Sequence, residues 1–368
     1  MSRFFGTVSK AATIVFVLLY ISSCLIPLLP AGKFWMFAVL GLVFPILLLI
    51  LICFVVVWGI ARSKWIFLPL LALLLSWQQI SVVAGLNTKR EFIVSKSNQT
   101  LRIFTWNVSS WGESNRSGIP LPGYWGETTN FIMEQQADVL CFQEFWDHQY
   151  PNSKVSNIKA FKELGYPYSY FVNSTYGQDK LKIGVAIFSK YPIIDTAYFD
   201  YGKDDFAEHL IYADIQFNQQ KVRVFTTHLQ SVHFEDEEYI ALRKIKQTEE
   251  EGLKDSKTIV RKLKYAYQYR GRQADFVRQK INESPYPVII CGDFNDVPTS
   301  YTYFTIKGNL QDAFLEKGFG LGRTFQYISP TLRIDYILAA KTFNVTQFNR
   351  FKVPYSDHYP VTADLQLK

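Results

Sequence analysis

Cysteine and histidine are scarce in this chain of 368 residues, with four of the first and five of the second. The four-ligand Cys/His spacing of a zinc cage is missing, which excludes a thiolate- and imidazole-rich metal centre. Cys24 and Cys53 lie inside long apolar stretches, and Cys141 and Cys291 lie in short apolar runs just ahead of polar motifs. A reduced cysteine packs there as a small hydrophobe. Internal repeats and low-complexity tracts are also missing, which sets aside solenoid arrays. The net charge of +7 looks like a nucleic-acid signal until it is divided. Residues 1–96 hold Arg3, Lys10, Lys33, Arg62, Lys64, Lys89, Arg90 and Lys96 against Glu91 alone. From totals of 39 basic and 32 acidic side chains, residues 97–368 keep 31 of each sign. Their neutral balance gives no support to a general polyanion-binding surface, which needs clustered Lys and Arg.

What the N-terminus has in abundance is hydrophobic length. Ala11 to Leu29, Phe34 to Ala61 and Trp65 to Gly85 contain no charged residue, and each has about the 20 residues needed to cross a bilayer core. Trp35, Trp58, Trp65 and Trp77 sit in the second and third stretches, several near their ends, where aromatic rings favour the membrane interface. The length of the first stretch and the two behind it favour a retained anchor over a cleaved leader. Three transmembrane helices are therefore predicted within residues 1–86. Arg3 and Lys10 before the first span, with Arg62 and Lys64 after the second, point to the cytoplasm. The C-terminal portion then emerges on the extracytoplasmic face, although Lys89 and Arg90 argue the other way.

A polar linker, residues 87–100, leads to a region of alternating elements. Leu101–Trp106, Val139–Phe142, Val185–Phe188, Leu210–Phe217, Val222–Thr226, Val288–Ile290, Tyr336–Leu338 and Val361–Leu367 read as strands. Helical patterns fall at Thr128–Gln136, Asn157–Leu164 and from about Tyr239 to Asn282. Strands that follow one another without a helix, as around Asn218-Gln219-Gln220, predict antiparallel hairpins. Mixed strands with helices outside predict a two-sheet α/β sandwich over residues 101–368. The long helix opens on Glu235 to Glu238 and carries Lys254, Lys257, Arg261, Lys264, Arg270 and further cations. It reads as a solvated face with intrahelical pairs, or as a basic surface toward anionic headgroups.

The chemistry lies in six short motifs, which are Trp106-Asn107, Gln143-Glu144, Thr227-His228-Leu229, Gly292-Asp293-Phe294-Asn295, Arg333-Ile334-Asp335-Tyr336 and Ser356-Asp357-His358. Most follow apolar, β-forming runs, so a sheet scaffold would deliver them to one rim. A hard divalent cation such as Mg²⁺ takes oxygen ligands and keeps several waters, so one or two carboxylates suffice. Glu144 ends an apolar strand and Asp357 is a second carboxylate. Asn107 offers an amide oxygen to the metal or an amide N–H to phosphate. On an extended segment, Asp293 and Asn295 would point the same way, with Phe294 turned into the core. Asp293 could then orient or deprotonate water, and Asn295 could bond the charge developing on phosphorus. His228 and His358 suit a phosphate-stabilising pair, and Asp335 could hold one imidazole in the correct tautomer. His148, His209 and His233 lack such context and read as structural.

Taken together these motifs resemble the endonuclease/exonuclease/phosphatase superfamily, the DNase I-like hydrolases, over about residues 100–368. The resemblance implies a four-layer α/β sandwich and a phosphoesterase that uses Mg²⁺, with Mn²⁺ as a substitute. It implies Glu144 as principal metal ligand with Asn107 close by, and Asp357 as a carboxylate near the metal. Asp293 and Asn295 would act on water and phosphate, His358 would pair with Asp335, and His228 would be a second phosphate-stabilising imidazole. Abasic-site endonucleases typically carry tyrosine where this chain has His228. Inositol polyphosphate 5-phosphatases extend the Gly-Asp-x-Asn motif to Tyr-Arg, whereas here Asp296-Val297-Pro298 follows. Neutral sphingomyelinases and DNase I both use histidine in the place of His228. A spanning anchor ahead of such a domain is similar to that of uncharacterised bacterial membrane members.

The predicted function is a membrane-anchored, metal-dependent phosphodiesterase acting on a lipid headgroup or another phosphoester at the bilayer. Tethering raises the local concentration of such a substrate. The alternative is an extracytoplasmic nuclease acting on nucleic acid, which would need a local basic groove. A catalytically dead scaffold fits poorly, since competent residue types fill every motif.

Overall fold

The computed structural model describes residues 3–88, 91–112, 125–147, 156–176, 181–201, 208–232 and 256–368. Uninterrupted apolar sequence forms α1 (Arg3–Cys24) and α2 (Ala31–Ile60). The spans Gly6–Leu28 and Ala31–Ile60 are each long and apolar enough to cross a membrane. The third stretch departs from the expectation of a third continuous helix. It folds as α3 (Phe67–Leu75) and α4 (Trp77–Val83), with a bend of 67° in this segment. The break falls at Ser76, just ahead of Gln78 and Gln79. Ser76 shares a 2.8 Å hydrogen bond with the Tyr20 hydroxyl, and Gln79 Nε2 donates to the Cys24 carbonyl at 2.6 Å. Polar groups among apolar helices must find protein partners, and the bend accompanies contacts of both residues with α1.

Behind these helices follow β1 (Gly85–Leu86), β2 (Thr100–Asn107), α5 (Trp125–Glu134), β3 (Val139–Asp147), α6 (Asn157–Glu163), β4 (Tyr168–Tyr176), β5 (Leu181–Ser189) and β6 (Ile193–Asp200). Then come β7 (His209–Phe217), β8 (Gln220–His228), α7 (Ser256–Asn282), β9 (Val288–Asp293), α8 (Tyr301–Lys307), β10 (Gln311–Asp312) and α9 (Ala313–Lys317). Last are β11 (Phe319–Gly320), β12 (Asp335–Ala339), β13 (Phe343–Arg350) and β14 (Val361–Leu367). The predicted start of the long helix before residue 256, with Glu235 to Glu238 and Lys254, lies outside the described residues, as do His148 and His233.

Two six-stranded sheets form, in the orders β10-β12-β9-β8-β7-β6 and β13-β14-β2-β3-β5-β4. Each contains one parallel pair, β8 with β9 and β2 with β3. Between the sheets Leu101, Ile103, Cys141 and Ile187 meet Ile211, Val224, Cys291 and Ile337 in one buried cluster. On the outside, α7 and α8 cover the first sheet with Ala274, Val277, Tyr303 and Ile306. Ile132 of α5 and Phe161 of α6 pack against Phe104, Phe142 and Phe188 of the second. The result is a four-layer α/β sandwich, because each sheet has two apolar faces to bury. Apart from the two-residue strands β1, β10 and β11, the strands that the alternation does not reveal are β4, β6 and β13, all at sheet edges. An edge strand buries less and tolerates polar residues, which blurs its pattern.

One charged contact inside the sandwich is buried outright. Arg102 on β2 makes a two-pronged bond to Asp364 on β14, 2.6 and 2.8 Å, and also donates to the carbonyls of Ile93, Val94 and Gln135. Removing one partner leaves an uncompensated buried charge. Arg102→Met is expected to destabilise the chain by about 3–5 kcal/mol, with the Arg102→Met/Asp364→Leu pair recovering most of that loss, measured by denaturant unfolding.

Candidate active site

The parallel pairs place their carboxyl ends at one rim. β2 ends at Asn107, where its pairing with β3 stops opposite Gln143, and β8 and β9 finish with His228 opposite Asp293. The antiparallel neighbours start there, β12 with Asp335 opposite Asp293 and β14 just after His358. All eight residues singled out from the sequence therefore meet at this rim. A cavity of about 160 Å³ opens over it, lined by Glu144, His228, Asp293, Asn295, Asp357 and His358. Asn107 and Asp335 stand immediately behind.

Glu144 reaches the cavity through a bulge. The register of β3 shifts between Phe142 and Phe145, and Glu144 takes a left-handed backbone at φ 51°. An extra residue in a strand re-aims the side chain it carries. Gln143 turns inward instead, donating to Thr226 Oγ1 at 2.8 Å and Thr105 Oγ1 at 3.1 Å. The Glu144 side chain is 35% exposed, against 1% for Asp293 and 2% for Asp335.

Asn107 is oriented as a donor. Its Nδ2 gives hydrogen bonds to Glu144 Oε1 and Asp293 Oδ2, both at 3.1 Å, while its Oδ1 accepts from the Ser109 N–H. The amide oxygen thus faces the backbone, and the amide N–H holds two carboxylates. Asp293 is the hub of the rim. Its Oδ2 lies 3.7 Å from Nε2 of both His228 and His358. Burial, and then the Asp335 carboxylate, push Asp293 up to about 8. Burial on its own would lower His358, but Asp335 and Asp293 beside it hold the imidazole well above its ordinary range. His358 Nδ1 lies 3.0 and 3.2 Å from the Asp335 oxygens, so Nε2 is the nitrogen turned to Asp293 and the cavity.

Asn295 reaches the site by a route other than the extended strand that its spacing suggests. β9 stops at Asp293, and Asn295 is left-handed at φ 51°. Asp293 Oδ1 accepts from the Asn295 N–H at 2.8 Å, and Asn295 Nδ2 donates to the Leu229 carbonyl. A turn closed by a carboxylate on the N–H two residues on fixes that geometry. Phe294 is buried in the core as its position implies. Gly292, at φ 130°, lets β9 lie close to β8, since a Cβ there would sit 2.1 Å from the Thr227 carbonyl oxygen. Any side chain would push His228 and Asp293 apart.

The remaining motif residues brace the rim. Trp106 Nε1 donates to the His358 carbonyl at 2.9 Å, and Ser356 Oγ donates to the Asn107 carbonyl at 2.7 Å. Arg333 turns away, pairing with Asp312 at 2.6 Å and donating to the Val82 carbonyl of α4. His209 is buried beside Ser174, with Nε2 at 3.1 Å from its hydroxyl, outside the rim.

Among the cavity residues that sequence reasoning missed are Arg270 and Phe325. Arg270 belongs to a charged run that reads as solvated, yet it is 2% exposed and lines the cavity. It lies 3.5 Å from Asp296, and its guanidinium sits over the Tyr267 ring. The signal was available, because Arg270 falls at helical spacing among Ile259, Ala266, Ala274 and Val277, all buried. Phe325 stands with its ring 5.0 Å from that of His358, and no motif marks it.

The donor set suits a hard divalent cation, being carboxylates with an open side on Glu144. Ligand atoms of Asp293, Asp335 and His358 also lie within 4.8 Å of one another. Asp335 is already committed to His358 Nδ1 there, which makes Glu144 the more accessible donor.

Comparison with known proteins agrees with this geometry. The endonuclease/exonuclease/phosphatase family matches residues 105–358. Residues 4–83 match a separate family described only as a domain of unknown function. No curated protein matches. Among solved structures, an endonuclease/exonuclease/phosphatase from Beutenbergia cavernae is 19% identical with a TM-score of 0.52, covering 73% of this chain and 72% of its own. One from Bacteroides vulgatus is 19% identical with a TM-score of 0.51, covering 74% and 100%. The human Nocturnin catalytic domain, solved with a bound sulfate anion, is 17% identical with a TM-score of 0.51, covering 74% and 97%. At such identities the structures share the fold alone, while the family match spans more than half of the chain. The chain belongs to the endonuclease/exonuclease/phosphatase family, whose members hydrolyse phosphoesters or nucleic acids.

Proposed function

We propose that this protein is a membrane-anchored, Mg²⁺-dependent phosphodiesterase whose substrate is a lipid headgroup or another phosphoester at the bilayer. In this reading residues 1–86 anchor, 87–100 link and 101–368 catalyse on the extracytoplasmic side. The observation that carries it is the hub at Asp293, bonded to Asn107 and flanked at equal distance by two imidazoles.

Glu144 would hold the cation, with Asp357 lining the same cavity and Asn107 fixing Glu144 through its amide N–H. Bound there, a divalent ion supplies Lewis-acid stabilisation to the phosphoryl oxygens. The side chains do the rest. Asp293, pushed up to about 8 by burial, takes a proton from water once it is ionised, as the pH rises through that value. His358, kept protonated by Asp335 and Asp293, presents Nε2–H to a phosphoryl oxygen. His228 lines the same cavity from β8, and Asn295 lines it with its amide nitrogen held by the Leu229 carbonyl. Asp335 orients His358 as the carboxylate of a triad orients its imidazole.

The location supports a membrane substrate over nucleic acid. Lys257, Arg261 and Lys264, three of the cations at the start of α7, line one open hollow with Trp35 of α2. A basic strip beside an apolar helix faces headgroups more readily than a polynucleotide.

In the full chain, Glu144→Gln is expected to lower kcat by about a thousandfold or more with unchanged unfolding. EDTA should abolish wild-type turnover and Mg²⁺ restore it. Asp335→Asn should lower kcat by about 10²–10⁴-fold, since an imidazole losing its orienting carboxylate loses acid–base function. Steady-state hydrolysis of phospholipid vesicles and of DNA in parallel checks both, and cleavage of DNA alone would overturn the substrate assignment.

A further inference from the structure

The catalytic cavity has a second wall that the reaction leaves unused. It is apolar and comes from three places, namely Leu42 on α2, Ile259 and Leu263 on α7, and Ile328 and Leu332 in the loop ahead of β12. Leu42 belongs to the helix that is apolar enough to cross a membrane, and it packs against Val297, Phe325, Leu332 and Ile334. Phe325 in turn touches His358. The apolar wall and the reactive rim are therefore one continuous space.

The docking of α2 on the catalytic portion is close and specific. Gly271 of α7 lies against Ala31 and Gly32, where a Cβ would come within 3.1 Å of both. Gln268 Nε2 donates to the Gly32 carbonyl, and Thr299 Oγ1 donates to the Gly41 carbonyl at 2.8 Å. Small residues at such a crossing let backbones approach. Ile328 is exposed where it lines the cavity, and the exposed Tyr327 ring lies 5.7 Å from that of Phe325. Ile328 is held left-handed at φ 67°, a costly backbone for a β-branched residue and one that persists where surrounding structure imposes it.

We propose that α2, α7 and the loop through Ile328 form a hydrocarbon-binding wall, which takes one acyl chain of a phospholipid and draws its phosphodiester to the rim. A water-soluble phosphoester would leave this wall in contact with water. An acyl chain covers it, and because α2 continues as membrane helix the chain reaches the wall without leaving apolar surroundings. The proposal rests on the lipid reading of the function and adds that α2 is part of the substrate site.

The test uses the full chain carrying Glu144→Gln, in phosphatidylcholine–phosphatidylglycerol nanodiscs with a phosphatidylcholine bearing a diazirine in its acyl chain. After irradiation, peptide mass spectrometry should find label on α7 between Ile259 and Tyr267. Leu263→Trp, or Leu42→Trp if the first misfolds, should cut that label at least fivefold while label on the exposed face of α2 at Leu49 stays. Label confined to α1–α4 would overturn the proposal. Headgroup release from the same nanodiscs by the wild type separates the two readings. Release with α7 unlabelled overturns the wall and spares the lipid function, whereas label on α7 without release keeps the wall and defeats that function.

Discussion

The Asp293 carboxylate ends β9 almost wholly shielded from water, and its neighbours are arranged around the cost of keeping it there. A buried carboxylate either takes up a proton or is surrounded by donors and cations. Here Asn107 donates to it, the Asn295 N–H donates to it, and His228 and His358 stand at 3.7 Å on either side. Each of those partners arrives on a different strand or turn. Moving any strand by one residue would turn its polar end to the opposite face of its sheet. The parallel pairs β2–β3 and β8–β9 are therefore what the site rests on, since only aligned carboxyl ends bring Asn107, Glu144, His228 and Asp293 together.

The same constraint ties the apolar helices to the chemistry. Arg333, one residue from Ile334 and two from Asp335, is spent on Asp312 and on the last turn of α4. Thr299, shortly after Asn295, is spent on Gly41 of α2. The loops that flank these rim residues thus end on the N-terminal helices. A chain that only needed a tether would not have to place helix backbone within hydrogen-bonding distance of the loops at this rim.

Much of this was legible in the sequence, for a physical reason. Central strands such as Leu101–Trp106 and Val361–Leu367 are buried on both faces, so their apolar runs are unmistakable, and the polar residue that ends each run must sit at a rim. Edge strands β4, β6 and β13 carry Asn173, Asp195 and Asn344 among their residues and gave no such contrast. The bulge at Glu144 and the turn at Asn295 depend on left-handed backbone that no spacing rule anticipates. The third apolar stretch read as one helix because hydropathy averages over Ser76 and Gln79, whereas their hydrogen bonds to α1 accompany a sharp bend. Arg270 was hidden by its cationic neighbours, and Leu42 by its sixty or so apolar companions in residues 1–86, since only tertiary packing sets it at the cavity.

The central claim is that the rim is a cation-assisted phosphoesterase site organised on Glu144. The most direct measurement is the anomalous difference density of Mn²⁺ in crystals of the full chain. The account predicts a peak about 2.1 Å from a Glu144 carboxylate oxygen, with Asp335 still on His358. A peak enclosed by Asp293, Asp335 and His358, or none at the rim at saturating Mn²⁺, would contradict it.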